Sequence, residues 1–361
     1  MGEVDASFIQ APEQRPNLSI IEEAQGIPVI DLSPIHQRLQ NDTAVSDPSA
    51  IEAVVKEVGR ACKEWGFFQV INHGVPLNLK NGVEDVSRRF FSQSLEEKKK
   101  VARDKTGVPG YFDTEHTKNI RDWKEILDFL AKEPTIVPIS GDDDDDDDRT
   151  TQWTNRYPQN PPDLRGTVLE YIEEMEKLSF KLLELIDLSL GLEPRRFHGY
   201  YLKDQCSFIR FNHYPACPWP DQALGVGPHK DPSALTILAA VDEVEGLEVR
   251  RKSDQQWIRV KPTPQAFIIN IGDVVQVWSN DEYMGAEHRV VVNSEKERFS
   301  IPFFFSPAHN TMIEPTKELI NEKNPAKYKP YNFGKFLVKR KDGNYQKQNV
   351  DNIQISHFRL P

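Results

Sequence analysis

Three residues have the types and the spacing of a metal site. His229 and Asp231 are separated by one residue, so on an extended segment their side chains point to the same side. His288 opens a later β-rich run and supplies a second imidazole. Two imidazoles and one carboxylate are the donor set of non-haem iron(II) sites, which leave coordination positions open. A structural zinc site would need a fourth protein ligand, and no cysteine lies in these segments.

A second group of polar residues predicts a site for a carboxylate. Arg298 and Ser300 stand two positions apart on a predicted strand, so both side chains face the same side. Asn212 and Tyr214 have the same spacing in an earlier β-rich run. A guanidinium beside a hydroxyl binds a carboxylate well inside a barrel, and the Tyr214 hydroxyl is a further donor. If a 2-oxoacid were bound to the metal, its far carboxylate could accept hydrogen bonds from Arg298, Ser300 and Tyr214.

Each motif has an ordinary explanation when it is taken alone. A His-x-Asp sequence arises by chance, a single histidine such as His288 often belongs to the core, and Arg-x-Ser is common on exposed strands. The three motifs occur here in one order and on predicted strands, and this combination favours the metal site. His73, His213 and His309 lack such partners, and we expect structural roles for them.

The elements that must position these residues are short strands in the second half of the chain. Turn signals such as Gly272-Asp273 and Asn280-Asp281 separate them. The predicted strands are 207–214, 234–241, 247–251, 255–261, 267–271, 274–279, 288–292 and 298–305. Eight short strands without intervening helices predict a barrel or jelly roll.

Helical patterns lie mostly in the first half. Apolar residues recur with helical spacing over 51–65, and Gly66 ends that pattern. A longer helix is predicted over 163–190, where Gly191 would stop it. Its apolar stripe consists of Leu169, Ile172, Met175, Leu178, Leu182, Leu185 and Ile186. The predicted fold class is therefore α+β, with a jelly-roll core braced by N-terminal and central helices.

The patterns divide the chain into six segments. The predicted segments are a flexible N-terminal arm (1–26), a region of helices and strands (27–140), an acidic loop insertion (141–150), a long bracing helix (151–204), the jelly-roll core (205–310) and a C-terminal tail (311–361). The tail is a candidate cover for a pocket in the core.

Charge and cysteine content exclude several classes of partner. The formal net charge is −11, but seven consecutive aspartates at 142–148 contribute most of it. The remaining 49 acidic and 45 basic residues give no basic surface for nucleic acid or an anionic membrane. Three cysteines without a CxxC pair predict a reducing compartment. The N-terminal residues lack the pattern of a secretory signal, so we expect a cytosolic monomer that acts on a small molecule.

Longer motifs identify a family resemblance. The runs IPVIDL from Ile27, GFFQVINHG from Gly66 and NHYPACP from Asn212 accompany the His229, His288 and Arg298 motifs in the same order. The chain resembles the plant-type soluble 2-oxoglutarate- and iron(II)-dependent dioxygenases, a group that includes flavonol synthase, anthocyanidin synthase and gibberellin oxidases. The resemblance covers nearly the whole chain.

The resemblance implies a double-stranded β-helix and a set of cofactors. Iron(II) would be held by His229, Asp231 and His288, and 2-oxoglutarate by Arg298, Ser300, Tyr214 and Asn212. The other reactant is O2, with ascorbate as reductant, and the products include succinate and carbon dioxide. Hydroxylation of the substrate is expected.

Expectations for the substrate rest on fewer residues. The family usually has threonine where this chain has Lys230, and a cation at that place would bias substrate choice. Tyr111, Phe112 and Phe304 are the candidate pocket walls. They favour an apolar or aromatic plant metabolite, such as a flavonoid, terpenoid, alkaloid or hormone.

Two alternatives stay open at the level of the sequence. Relatives such as 1-aminocyclopropane-1-carboxylate oxidase and isopenicillin N synthase also carry the Arg-x-Ser pair without using 2-oxoglutarate. The chain would then be an iron oxidase that releases no succinate. A non-catalytic binding protein on the same barrel is the second alternative, and the intact His-Asp-His set argues against it.

Overall fold

Strands dominate the second half of the chain in the computed structural model, which describes residues 4–16, 27–35, 48–104, 109–141, 149–241, 244–345 and 352–361. The α-helices that lie wholly within these ranges are α1 (Pro48–Glu64), α2 (Leu77–Phe91), α3 (Leu95–Lys99), α4 (Leu164–Ser189), α5 (Asp273–Trp278) and α6 (Phe333–Tyr345). The first strands are β1 (Val29–Asp31), β2 (Phe67–Ile71), β3 (Tyr111–Phe112), β4 (His116–Thr117), β5 (Ile120–Arg121), β6 (Glu125–Leu130), β7 (Thr135–Pro138) and β8 (Thr150–Trp153). The later strands are β9 (Phe208–Tyr214), β10 (Leu224–His229), β11 (Leu235–Ala240), β12 (Leu247–Arg250), β13 (Trp257–Arg259), β14 (Phe267–Ile271), β15 (His288–Val291), β16 (Arg298–Phe305), β17 (Met312–Ile313) and β18 (Tyr331–Asn332).

Two sheets form the core. The larger has eight strands in the order β1-β2-β14-β11-β16-β9-β6-β3, and the smaller has four in the order β10-β15-β12-β13. Apart from the parallel pair β1 and β2, the neighbouring strands in these two sheets are antiparallel. One cavity is lined by β9, β11, β14 and β16 of the larger sheet and by β10, β12 and β15 of the smaller sheet, so the sheets face each other. This arrangement confirms the predicted α+β fold with a double-stranded β-helix.

Helix α4 braces the larger sheet. It contacts β11 and β16 on one side and the helices α1 and α2 on the other. The predicted stripe is buried from Ile172 to Ile186, whereas Leu169 is 38% exposed. Full burial of each large apolar side chain stabilises the fold by roughly 1.5–3 kcal/mol. The helix ends where Gly191 adopts a φ of 75°. Across the described ranges, no helix has both the length and the apolar character needed to cross a membrane.

Next to the site, one predicted strand is a helix and one observed strand was not predicted. Residues 274–279, predicted as a strand, belong largely to helix α5, whose six residues are all buried. Complete burial removes the helical alternation from the sequence, so the apolar run resembles a strand. Conversely, β10 was not predicted, because Gly225, Gly227 and Pro228 are unfavourable in strands.

The N-terminal arm packs on the body over the residues described. Phe8 lies against Trp123, with ring centroids 4.8 Å apart. The Gln10 amide donates to the carbonyl of Gln222 at 2.9 Å. The prediction of a flexible arm is therefore wrong for 4–16, and its remainder over 17–26 lies outside the described residues.

The central segments are shorter than predicted. Strands β7 and β8 pair antiparallel on either side of the acidic run. The run itself, 142–148, lies outside the described residues. The predicted bracing segment 151–204 includes the end of β8, and α4 occupies 26 of its residues.

Candidate active site

The predicted metal ligands meet at one end of the smaller sheet. His229 ends β10 directly opposite His288 on β15, and Asp231 follows two residues after the end of β10. An oxygen of Asp231 lies 3.5 Å from the Nε2 atom of His229 and 3.6 Å from that of His288. All three ligand atoms lie within 4.8 Å of one another. This spacing fits three ligands around one metal ion.

Hydrogen bonds orient the two imidazoles. The Nδ1 atom of His229 donates to the carbonyl of Gly227 at 2.8 Å, and that of His288 donates to the carbonyl of Ala286 at 3.2 Å. Each Nε2 atom therefore keeps its lone pair and faces Asp231. Burial, together with the neighbouring His229, lowers the pKa of His288 to about 4. A neutral imidazole is the form that binds a metal ion.

The larger sheet fixes the carboxylate. One oxygen of Asp231 accepts hydrogen bonds from the Thr236 hydroxyl at 2.6 Å and from the Asn270 amide at 2.8 Å. The other oxygen stays directed at the two imidazoles. Burial opposes ionisation, but both histidines and the Thr236 hydrogen bond hold the pKa of Asp231 well below its usual range. Thr236 was not predicted, although its position five residues after Asp231 on a predicted strand offered a signal.

The four predicted carboxylate-binding residues line the cavity between the sheets, which we call the inner chamber. Arg298 lies opposite Tyr214 and Ser300 lies opposite Asn212, because β16 and β9 pair antiparallel. The Asn212 amide donates to the Ser300 hydroxyl at 3.3 Å. The guanidinium of Arg298 lies over the Tyr214 ring, 5.2 Å from its centroid. The structure thus brings all four together with the three metal ligands.

Two glycines give these side chains the space they occupy. A Cβ atom at Gly225 would lie 2.6 Å from a ring carbon of Tyr214, and one at Gly246 would lie 3.0 Å from the Cδ atom of Arg298. Arg298 is only 5% exposed. The chamber therefore offers a guanidinium, a hydroxyl and a phenol at one end and three metal ligands at the other. This donor set suits a molecule that carries a carboxylate at one end and a chelating group at the other.

A second cavity, which we call the outer chamber, opens on the other side of the metal ligands. His229, Asp231 and Phe304 line both chambers, whereas His288 lines the inner chamber alone, so two of the three predicted ligands lie at their junction. Phe304 stacks on Phe208 with ring centroids 4.6 Å apart. The predicted substrate residues Phe304 and Lys230 both line the outer chamber.

The structure does not bring the other two predicted substrate residues to this chamber. Tyr111 is buried elsewhere, and its hydroxyl donates to Glu125 at 2.6 Å. Phe112 stacks on Tyr345 with centroids 4.7 Å apart. Both lie on β3, which is the edge strand of the larger sheet farthest from β1. Their assignment to the chamber wall is corrected accordingly.

A charge network forms much of the outer wall. Arg210 donates to Asp128 at 2.7 and 2.9 Å and to Glu115 at 2.9 Å. The further pairs in this network are Arg103–Asp128, Lys124–Glu115 and Lys124–Asp122. Burial opposes the ionisation of Glu115, but Arg210 and Lys124 hold its pKa well below the usual range. Arg210 lies 82 positions from Asp128 and 95 from Glu115 along the chain, so no local pattern predicts these contacts.

The C-terminal helix forms a further wall of the outer chamber. Leu337, Arg340, Lys341 and Asn344 of α6 all line it. Arg340 donates to the carbonyl of Ile353 at 2.6 Å and to that of Lys230 at 3.4 Å. The tail therefore contacts the segment between the predicted ligands His229 and Asp231.

Comparisons with known proteins agree with this geometry. The model of the 2OG-Fe(II) oxygenase superfamily matches residues 203–307, and that of the N-terminal region of non-haem dioxygenases in morphine synthesis matches 27–160. Jasmonate-induced oxygenase 2 of Arabidopsis thaliana is 36% identical over 333 residues, which cover 91% of this chain and 83% of that protein. Flavanone 3-dioxygenase 2 of Oryza sativa subsp. japonica is 35% identical, with 92% and 88% covered.

A solved structure shows the same fold. The crystal structure of JOX2 in complex with 2OG, Fe and JA superposes with a TM-score of 0.80 at 30% identity. The superposition covers 100% of this chain and 95% of that chain. The predicted family, reaction class and cofactors are thereby confirmed. The chain belongs to the 2OG-Fe(II) oxygenase superfamily and is a non-haem dioxygenase that uses iron(II) and 2-oxoglutarate.

Proposed function

We propose that His229, Asp231 and His288 hold iron(II), and that the inner chamber binds 2-oxoglutarate while a small plant metabolite occupies the outer chamber. The observation that supports this most directly is that His229 and Asp231 lie where the two chambers meet, with His288 beside them in the inner chamber. Bound iron supplies the activation of O2, coupled to the conversion of 2-oxoglutarate into succinate and carbon dioxide.

The protein's own contribution is to hold and orient the reactants. Arg298 and Ser300 would bind the far carboxylate of 2-oxoglutarate, and the Tyr214 hydroxyl would donate to the same group. Asn212 supports the Ser300 hydroxyl through its hydrogen bond. Thr236 and Asn270 keep Asp231 in one orientation, so the ligand set is organised before iron binds.

For the substrate, we infer a small hormone-like or flavonoid-like molecule and hydroxylation as the reaction. The relatives whose names state a substrate or inducer concern flavanone, gibberellin and jasmonate, and JOX2 has been crystallised with JA. The stacked pair Phe208 and Phe304, with Leu337 from α6, offers an apolar surface for such a molecule. Val226 extends this surface to the metal ligands.

An anaerobic titration with iron(II) and 2-oxoglutarate tests the assignment. We expect the visible charge-transfer band of the iron–2-oxoglutarate chelate in the wild-type protein. The band should be absent in His288→Ala and weaker in Arg298→Ala. Bound iron without a band would contradict the proposed role of the inner chamber and favour an oxidase that does not use 2-oxoglutarate.

We further propose that the enzyme acts as a monomer in the cytosol. Cys62, Cys206 and Cys217 are buried and unpaired, which supports a reducing compartment. Light scattering of the purified protein would test the first statement, and localisation of a fluorescent fusion would test the second.

A further inference from the structure

The outer chamber has an excess of cationic side chains, and almost all of them have a polar partner. The cations that line it are Arg103, Lys118, Lys124, Arg210, Lys230, Arg340 and Lys341. Arg103, Lys124 and Arg210 belong to the carboxylate network described above. Lys118 pairs with Glu287 at 3.0 Å. Lys230 donates to the side-chain oxygen of Gln276 at 3.3 Å, and Arg340 donates to backbone carbonyls.

Lys341 is different from these six. Its Nζ atom lies over the ring of Trp153, 4.2 Å from the centroid, and 5.7 Å from the centroid of Phe208. Within the part of the chain that the structure describes, no carboxylate lies within ion-pair distance of this atom. Aromatic faces attract a cation, but less strongly than a carboxylate does in a desolvated site.

The surroundings make an unpaired ammonium unfavourable here. Burial and the charges of Arg103 and Arg210 lower the pKa of Lys341 to about 7, against the opposing effect of Asp128. Asp128 and Glu115 are already engaged by Arg210, so neither carboxylate is available to Lys341 alone. A ligand that brings one negative charge would stabilise the ammonium form.

We infer that the outer chamber selects a substrate with an apolar body and a single carboxylate, and that Lys341 is the residue that binds this carboxylate. The inference rests on the proposed function, since it names the substrate class of the same site. Phe208, Phe304 and Leu337 supply the apolar surface beside Lys341. A phosphate would bring about two charges and calls for several unpaired cations, whereas the described residues of this chamber offer one.

Matched acids and amides test the inference. The probes are phenylacetate, indole-3-acetate and jasmonate, each paired with its primary amide, which removes the charge and keeps the size. Binding is measured by anaerobic calorimetry on the protein loaded with iron(II) and 2-oxoglutarate, and turnover by succinate release. The variants are Lys341→Met, Lys341→Arg and, as a control, Lys335→Met, which alters a lysine of the same helix that does not line the chamber.

We expect the wild-type protein to bind at least one acid about 10- to 100-fold more tightly than its amide, as a charge-assisted hydrogen bond predicts. Lys341→Met should abolish this preference without loss of the fold, because methionine suits the space between two aromatic rings. Lys341→Arg and Lys335→Met should retain it. A purely structural Lys341 would leave the preference for acids unchanged in Lys341→Met, whatever the change in melting temperature.

Three results would overturn the inference. They are equal binding of acids and amides, a preference that survives in Lys341→Met, and failure of every acid to bind. The same calorimetry without iron and 2-oxoglutarate separates this inference from the proposed function. If the chelate band is absent while acids still bind in a Lys341-dependent way, the proposed function fails and the carboxylate site stands. If the band forms while the acids do not bind, the proposed function stands and the carboxylate site fails.

Discussion

The inner and outer chambers share His229 and Asp231 but are built in different ways. The inner chamber is lined mainly by paired strands, and its four proposed 2-oxoglutarate residues come in two pairs with a spacing of two. The outer chamber combines β9, the loop after β10, the C-terminal helix and segments around β4 to β6. In the proposed assignment, the regular framework holds 2-oxoglutarate, the reactant common to the family, and the irregular wall is free to differ between substrates.

The two chambers also differ in how their cationic side chains are paired. Arg298 in the inner chamber is 5% exposed and faces a place where a carboxylate of the co-substrate would lie. The outer chamber pairs most of its cations with its own carboxylates and leaves Lys341 over two aromatic rings. Changes on either side should therefore affect different ligands, and the following experiments test that separation.

Loss of the shared metal ligand should have the largest effect, because it disables both chambers. We expect Asp231→Ala to reduce iron affinity by more than about 100-fold, since loss of an outer partner of a ligand already costs about 10- to 100-fold. Iron content after dialysis and succinate release would measure the effect. Retention of stoichiometric iron by the variant would contradict the ligand assignment.

Replacement of Arg298 should affect the inner chamber alone. In Arg298→Leu we expect the KM for 2-oxoglutarate to rise by about 10- to 100-fold, because a buried charge-assisted contact is lost. The KM for a carboxylate substrate should stay within about twofold, whereas Lys341→Met should show the opposite pattern. Steady-state kinetics with each reactant varied in turn would reveal any cross-effect, which would show that the chambers are not independent.

Removal of the Thr236 hydroxyl should act mainly on iron binding, because this hydroxyl donates to Asp231. Thr236→Val keeps the shape of the side chain and deletes the hydrogen bond to Asp231, which measures 2.6 Å. We expect about a tenfold loss of iron affinity, at the lower limit for such partners. A competition titration with a chelator measures it, and Thr236→Ser, which keeps the hydroxyl, serves as the control.

The pH dependence of substrate binding distinguishes the chambers further. Lys341 has a pKa of about 7, so it loses its charge as the pH rises above that value. The KM for a carboxylate substrate should then increase by up to about tenfold per pH unit, whereas Lys341→Arg should remove this dependence because arginine stays charged. Asp128 and Glu115 remain ionised throughout, since both pKa values are lowered below their usual range. An equal rise of this KM with pH in Lys341→Arg would show that another group causes the pH dependence.

The smallest expected effect concerns stability. The folded state lowers the pKa of Lys341 from 10.5 to about 7, so the burial penalty is complete below pH 7 and disappears as the pH approaches 10.5. Lys341→Met should therefore raise the melting temperature by about 2 °C at pH 6 and by less at pH 10. Calorimetric scans at both pH values test this. A larger increase in melting temperature at pH 10 than at pH 6 would contradict the expected direction.

Prediction from the sequence succeeded where the decisive geometry is local. A spacing of two on a strand brings Arg298 and Ser300, or Asn212 and Tyr214, to one face whatever the rest of the chain does. It failed at β10, where Gly225, which leaves room for the Tyr214 ring, and Gly227 obscure the strand, and at α5, where complete burial removes the helical period. It also failed for Tyr111 and Phe112, because aromatic character does not reveal which cavity a strand approaches.

The sequence by itself determined the donor types and their short spacings, and through the family resemblance it implied the reaction class. Only the tertiary structure decided the surroundings of those residues. Thr236 and Asn270 reach Asp231 from two strands, and Arg210 meets Asp128 across 82 positions of the chain. Lys341 stands over Trp153 because α6 folds back against the core. Such contacts depend on how whole elements pack, and no local pattern in the chain records which partner a charged side chain will meet.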